Sequence, residues 1–166
     1  MSQSHERNPA QTAPPVSSRS AGAASDDHGR ALTTNAAAAA WYRVAQRSLL
    51  DRDAPDPALR HALRADPTFA VAASDLLALV EEAPTVELVR PATSWERHHC
   101  EIVAETRRDV GRASGILREH LADTGCDPLA VHIVTAALHD AARFADVDAL
   151  LASTPDCHSY GELTAG

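Results

Sequence analysis

Three Asp-Pro pairs stand in the chain, each just before an apolar run with helical spacing. They are Asp56-Pro57, Asp66-Pro67 and Asp127-Pro128. An aspartate side chain accepts a backbone N–H at a helix start and proline fits the first helical position, so each pair predicts a helix N-terminus. From residue 35 onward Ala, Leu, Val and Arg dominate, and no alternating pattern lasts long enough to indicate a strand. The sequence therefore predicts an all-α fold.

Two of these starts belong to segments that echo each other. HALRADPTFAVAASDLLAL and EHLADTGCDPLAVHIVTAAL both run helix, short turn, Asp-Pro and a more apolar helix. This order is typical of stacked antiparallel helical hairpins, as in a fragment of a tetratricopeptide-like α-solenoid. An up-down bundle without repeats is the alternative. Residues 1–30 have no aromatic residue and a single Val, so we expect a disordered tail there and one helical-repeat-like domain over 31–166.

Local signals predict where the helices begin and end. The first helix follows Thr34 or Asn35, with Trp41 and Val44 on an inward stripe that continues through Ala45, Ser48 and Leu49. Further helices are expected over 56–65, from Pro67 to Pro84, from Thr93 to about Arg108, around 113–121, over 128–144, and in a last short piece near Val147. The region 85–92 reads either as a brief helix or as a linker.

Composition excludes several classes of function. The formal net charge of -8 argues against binding to nucleic acid or to an anionic membrane, which both require basic surface. All fifteen basic residues are arginine, so lysine chemistry is excluded. No apolar run is long enough for a signal or a membrane span. Three unevenly spaced cysteines, Cys100, Cys126 and Cys157, indicate reduced thiols and a cytoplasmic location.

The order of four elements resembles the family of tetratricopeptide repeat protein 38. These are ERHHCE, the Asp-Pro hairpins, LHDAARFAD and HSYGEL, and the likeness covers about residues 36–163. The family's Glu-Arg-x-His-x-Glu element is matched by Glu96, Arg97, His99 and Glu101, and its His-Asp element by His139 and Asp140. The chain departs from the family after this point, where a second histidine, aromatic residues and a Gly-Asp turn are replaced except at Phe144 and Asp146.

The resemblance implies a helical solenoid and no defined reaction. Family members continue past the HSYGEL element with further hairpins, whereas this chain ends at Gly166. An uncovered apolar face is then expected, so the chain is predicted to form a homodimer or to bind a partner protein. The expected function is a protein-interaction or scaffold module that acts through an apolar groove or through self-association.

The segment from Thr93 to Val103 concentrates two histidines, a cysteine and two glutamates. Because helix neighbours on one face lie three or four residues apart, Trp95, His99 and Ile102 point inward while His98 and Glu101 point outward. Thr93 and Glu96 form a capping box, so Thr93, Glu96 and Arg97 are expected to be structural. A di-iron site needs a second Glu-x-x-His element, which the chain lacks, so neither a metal nor a cofactor is expected.

Helical spacing predicts that Asp140 shares one face with the apolar residues Leu129, Ile133, Ala136 and Phe144, and a buried carboxylate needs a partner. His99, Arg97 or His139 is expected to supply it. The favoured interpretation is a polar clamp between helices. The alternative is a small acid–base enzyme of the cyclase, hydrolase or isomerase type. In it His99 is the general base, Asp140 orients His99, and His139 and Glu101 complete the catalytic set. A protein that binds a small molecule in the same pocket is a third hypothesis.

Overall fold

The computed structural model describes residues 24–80, 91 and 93–154, and over these ranges the fold is all-α. Its elements are α1 (Ala36–Ser48), α2 (Asp56–Ala65), α3 (Ala70–Leu79), α4 (Ser94–Thr106), α5 (Val110–Thr124), α6 (Pro128–Asp140) and α7 (Phe144–Ala152). The β-type pairing described is a single isolated bridge between Ser25 and Ala31. None of these helices is long and apolar enough to cross a bilayer. The predicted fold class is confirmed.

Several helix starts follow the expected chemistry. Asn35 caps α1 by accepting the Ala38 N–H at 2.9 Å. The capping box at the start of α4 is complete, because Thr93 accepts the Glu96 N–H and Glu96 accepts the Thr93 N–H. Side-chain capping at these positions satisfies backbone groups that a helix leaves without partners.

The helices predicted over 67–84 and 128–144 are both shorter in the structure, where α3 ends at Leu79 and α6 at Asp140. The Asp66 carboxylate accepts from the Thr68 N–H at 3.0 Å and from its hydroxyl at 2.7 Å, which holds a turn in place of a first helical turn. The helix therefore begins at Ala70 instead of Pro67. At the other boundary, α6 ends at Asp140 because Ala142 adopts a left-handed φ of 56°. The segment 85–92 lies outside the described residues except for Pro91.

Consecutive helices pack on each other from α1 through α5, while α6 contacts α3, α4, α5 and α7. The core between them is apolar and fully buried at its largest side chains, which include Tyr42, Leu59, Phe69, Leu76, Ile102, Leu117, Leu129 and Leu138. The inward face of α4 is confirmed, since Trp95, His99 and Ile102 are buried. The centre of the core is thus lined by α3, α4 and α6.

Helix α1 presents a different face to the core from the predicted one. Tyr42, Ala45 and Leu49 are buried, whereas Trp41 is 39% exposed and Val44 is 42% exposed. Alanines flank the aromatic pair and fit either side, so the sequence pattern leaves the rotation weakly defined. The Tyr42 ring packs edge-on against Phe69 at 5.3 Å, and this contact lies on the side of α1 that faces inward.

Residues 24–34 form a segment that lies across the helices, here called the N-terminal strap. Arg30 donates to the Cys126 carbonyl at 2.6 Å, and its guanidinium lies 4.2 Å from the centre of the Trp95 ring. Thr33 donates from its N–H and its hydroxyl to the Glu96 carboxylate, at 2.6 and 2.8 Å. The predicted tail over residues 1–30 is therefore too long, because residues 24–30 belong to the folded part.

Candidate functional site

His99 is the most enclosed polar side chain on α4, with 0% of its surface exposed. Its Nε2 lies 2.6 Å from Asp75 Oδ1 and its Nδ1 lies 2.8 Å from Asp127 Oδ2. A carboxylate only accepts hydrogen bonds, so an imidazole between two carboxylates binds both best when each ring nitrogen carries a proton. The geometry is that of a charged imidazolium held between two aspartates.

Two further side chains extend this arrangement. His120 Nε2 donates to Asp127 Oδ2 at 3.0 Å, and the Tyr42 hydroxyl donates to Asp75 Oδ2 at 3.1 Å. We call Tyr42, Asp75, His99, His120 and Asp127 the His99 cluster. Its members come from α1, α3, α4, α5 and the N-cap of α6, so five elements meet in one hydrogen-bonded network.

The titration of the cluster follows from burial and charge. Burial alone lowers the pKa of His99, but the carboxylates of Asp127 and Asp75 outweigh it and raise that pKa well above its ordinary value. Burial would raise the pKa of Asp127, yet the charge on His99 and the hydrogen bond from His120 lower it. Burial raises the pKa of the Tyr42 hydroxyl, and Asp75 adds to the rise. At neutral pH the cluster therefore holds a charged His99 against an ionised Asp127.

This arrangement suits packing better than catalysis. A general base needs an unprotonated nitrogen within reach of a substrate, whereas both His99 nitrogens donate to carboxylates. Of the described imidazole nitrogens in the cluster, His120 Nδ1 is the one without a hydrogen-bond partner, and it is buried. The His99 cluster therefore joins the helices as a polar clamp.

The predicted pairing of His99 with Asp140 is wrong. Asp140 is exposed at the last residue of α6, and His139 beside it is exposed with its ring 5.2 Å from that of Phe144. The buried side of α6 passes through Val134 and Leu138, so the stripe drawn through Leu129 and Ile133 leaves the core before it reaches Asp140. Phe144 is on α7 and is 55% exposed.

The remaining predicted site residues are spread over α4. Glu101 is exposed on the face opposite His99, which removes it from the cluster. Arg97 is also exposed, whereas Thr93 and Glu96 form the capping box. Burial would raise the pKa of Glu96, but hydrogen bonds from Thr33 and Thr93 outweigh it and lower that pKa. Glu96 thus fastens the N-terminal strap to the start of α4.

Asp75 and Asp127, the partners of His99, both stand in sequence contexts that predict further hydrogen bonds. Asp75 stands inside AVAASDLLAL, a helix whose apolar residues cover most of its circumference. A carboxylate in such a helix is buried, so it requires a donor. Asp127 was recognised as an N-cap, and it does accept from the Ala130 N–H, but a carboxylate has capacity for further donors. His99 and His120 use that capacity.

A shallow groove opens between α1 and α2 on the outside of the molecule. It has a volume of about 470 Å³ and is lined by Trp41, Val44, Ser48, Asp53, Ala54, Pro57, Ala58 and His61. The Trp41 and His61 rings stack with their centres 4.3 Å apart and an angle of 17° between their planes. We call this surface the α1–α2 groove. Its lining is mainly apolar, as ligand and peptide sites are.

A second cleft lies between the α1–α2 loop and α6. It has a volume of about 580 Å³, and its lining includes Leu49, Arg52, Asp53, Leu79 and His132. Burial lowers the pKa of His132, so this imidazole is neutral at physiological pH. Among the described residues, no hydrogen bond or ion pair joins His132 to the His99 cluster.

Neither a reactive thiol nor a metal-ligand group is found among the described residues. Cys157 lies outside the described ranges. Cys100 is a free thiol, and burial raises its pKa to about 11. Among described residues no group of three or more His, Cys, Asp or Glu side chains is arranged to hold a metal ion.

Comparison with known proteins adds no relative. No protein-family model, no curated protein and no solved structure matches the chain. The resemblance to the tetratricopeptide repeat protein 38 family therefore stays a prediction that depends on the short motifs around His99 and His139.

Proposed function

We propose that this chain is a protein-interaction module of stacked helical hairpins, in which the α1–α2 groove receives a protein partner. The observation that carries the proposal is the exposure of Trp41 and Val44 on that groove. Tryptophan is enriched among residues that dominate the binding energy of protein interfaces. A large aromatic side chain left on an apolar groove is therefore best explained by a partner that covers it.

The packing order supports the hairpin part of the proposal. Helix α1 packs on α2 and α4 packs on α5, as paired helices in a repeat stack would. The family membership suggested by the motifs is part of the same proposal. A cytoplasmic location, expected from the cysteine pattern, is part of the same proposal.

The fold does not bring together the four residues that the acid–base alternative requires. His99 is enclosed between two carboxylates, and Asp140, His139 and Glu101 are exposed elsewhere. The same separation argues against a small-molecule pocket formed by these residues. We therefore assign a structural role to the His99 cluster and a binding role to the α1–α2 groove.

The test is affinity capture with matched variants. Wild-type chain, Trp41→Ala and Phe144→Ala are immobilised in equal amounts and exposed to extract of the source cells. Phe144 is an exposed aromatic residue on α7 and serves as the control. The proposal expects specific proteins to be retained by wild type and by Phe144→Ala and lost from Trp41→Ala. Equal retention by all three would contradict the groove as the binding surface.

A further inference from the structure

We infer that the occupant of the α1–α2 groove is a second copy of this chain, docked on the same groove about a two-fold axis. The inference rests on the proposed function, because it names the partner of the same surface. Most homo-oligomers of soluble proteins are two-fold dimers whose interfaces join one patch to its own copy. Such a patch must be complementary to itself in shape and charge.

Opposite charges flank the α1–α2 groove: Asp53 lines one end, and Arg64 lies about one turn of α2 beyond the lining residue His61 at the other. Arg64 is exposed on the last turn of α2, with its Nη1 3.2 Å from His61 Nδ1. Asp53 lines the groove at the other end, in the loop before α2. The rise of α2 separates these ends by roughly 12 Å between residues 56 and 64. A two-fold axis through the middle of the groove therefore places Arg64 of each copy against Asp53 of the other.

Neighbouring charges leave this complementarity intact. Asp56 is paired with Arg60, at 3.6 Å between Oδ2 and Nε. Near the other end Asp66 keeps its negative charge, but its carboxylate is oriented by hydrogen bonds from Thr34 and Thr68 of its own chain. Asp51, Arg52 and Asp53 together give the loop a net charge of about -1, so the sign at this end is negative. Arg64 and Asp53 are thus the opposite charges that a second copy would meet.

The apolar surface between these ends suits a helix of the second copy. Ala37, Ala40, Trp41 and Val44 are exposed on α1 at helical spacing and form one stripe, and its members Trp41 and Val44 line the groove. Small alanine side chains let another helix approach closely, and Trp41 supplies a large contact that is already ordered by its stack on His61. Antiparallel packing of the two α1 helices buries the stripe of both copies.

Two charge-reversal variants test the dimer, because mixing them should restore binding only if the partner is a second copy of this chain. Arg64→Glu alone places a new carboxylate against Asp53 of the other copy, and Asp53→Arg alone places a new guanidinium against Arg64 of the other copy. In a dimer of either variant, both symmetric contacts between positions 64 and 53 therefore join like charges. Mixed together, the two variants form a heterodimer in which one of the two contacts joins the introduced arginine to the introduced glutamate and the other joins the native Arg64 to the native Asp53. We expect sedimentation equilibrium to show a wild-type dimer, a dissociation constant raised about tenfold in each variant alone, and restored dimer in the mixture.

Other outcomes separate this inference from the proposed function. A wild-type chain that stays monomeric up to about 100 μM overturns the dimer, as does a dimer that neither charge change weakens. If the chain is monomeric while Trp41-dependent capture of another protein persists, the second copy is wrong and the proposed function stands. Circular dichroism of each variant checks folding, and Arg64 and Asp53 both lie outside the core, so their replacement leaves it unchanged.

Discussion

His99 Nδ1 lies 2.8 Å from Asp127 Oδ2, and this contact joins the middle of α4 to the first residue that caps α6. The same oxygen accepts from His120 at 3.0 Å, so α5 is held at the same point. Neither aspartate has exposed side-chain surface. Breaking a buried ion pair on one side leaves a charge without a partner, which is costly.

Replacement of His99 therefore tests stability. His99→Gln should lower the free energy of unfolding by about 3–5 kcal/mol, because Asp75 and Asp127 lose a charged donor inside the core. His98→Gln is the matched control, since His98 is the adjacent, exposed residue on α4, and it should change by less than about 0.5 kcal/mol. Asp140→Asn should be equally mild. Urea unfolding followed by circular dichroism measures all three, and equal losses for His98→Gln and His99→Gln would refute the clamp.

The pH dependence of stability follows from the raised pKa of His99. A histidine whose folded pKa exceeds its unfolded value of about 6.5 stabilises fully below that value and loses its contribution as the pH rises through the folded pKa. Between these values the unfolded chain has released a proton that the folded chain keeps. The free energy of unfolding should fall by about 1.4 kcal/mol per pH unit from this residue.

The control for this slope is the variant that lacks the group. Urea titrations above about pH 6.5 should show the decline in wild type and in His98→Gln, and a flatter profile in His99→Gln. A wild-type slope that survives unchanged in His99→Gln would assign the decline to other groups.

The attachment of the N-terminal strap predicts a difference between two glutamates of α4. Glu96→Gln removes a carboxylate that accepts from Thr33 and Thr93, and it should cost about 1–3 kcal/mol of stability. Glu101→Gln changes an exposed residue of the same helix and should be nearly neutral. Limited proteolysis should also cleave near residue 30 faster in Glu96→Gln only. Equal cleavage rates in both variants would exclude Glu96 as the anchor of the strap.

Sequence periodicity predicted the fold class and the inward direction of His99, because helical spacing on α4 is set by strong apolar positions such as Trp95 and Ile102. The rotation of α1 was missed, since alanines tolerate both core and solvent and only contacts with Asp75 and Phe69 select Tyr42 over Trp41. The partners of His99 were missed because Asp75 and Asp127 lie 24 and 28 residues away along the chain. Tertiary packing brings them together.

The protonation state of the His99 ring is the most direct test of the clamp. Nitrogen NMR of the imidazole at pH 7 should show both ring nitrogens protonated, because the pKa of His99 is raised well above its ordinary value and Asp127 and Asp75 each accept a hydrogen bond from the ring. A neutral ring with one unprotonated nitrogen at pH 7 would contradict the account. It would also restore His99 as a candidate base.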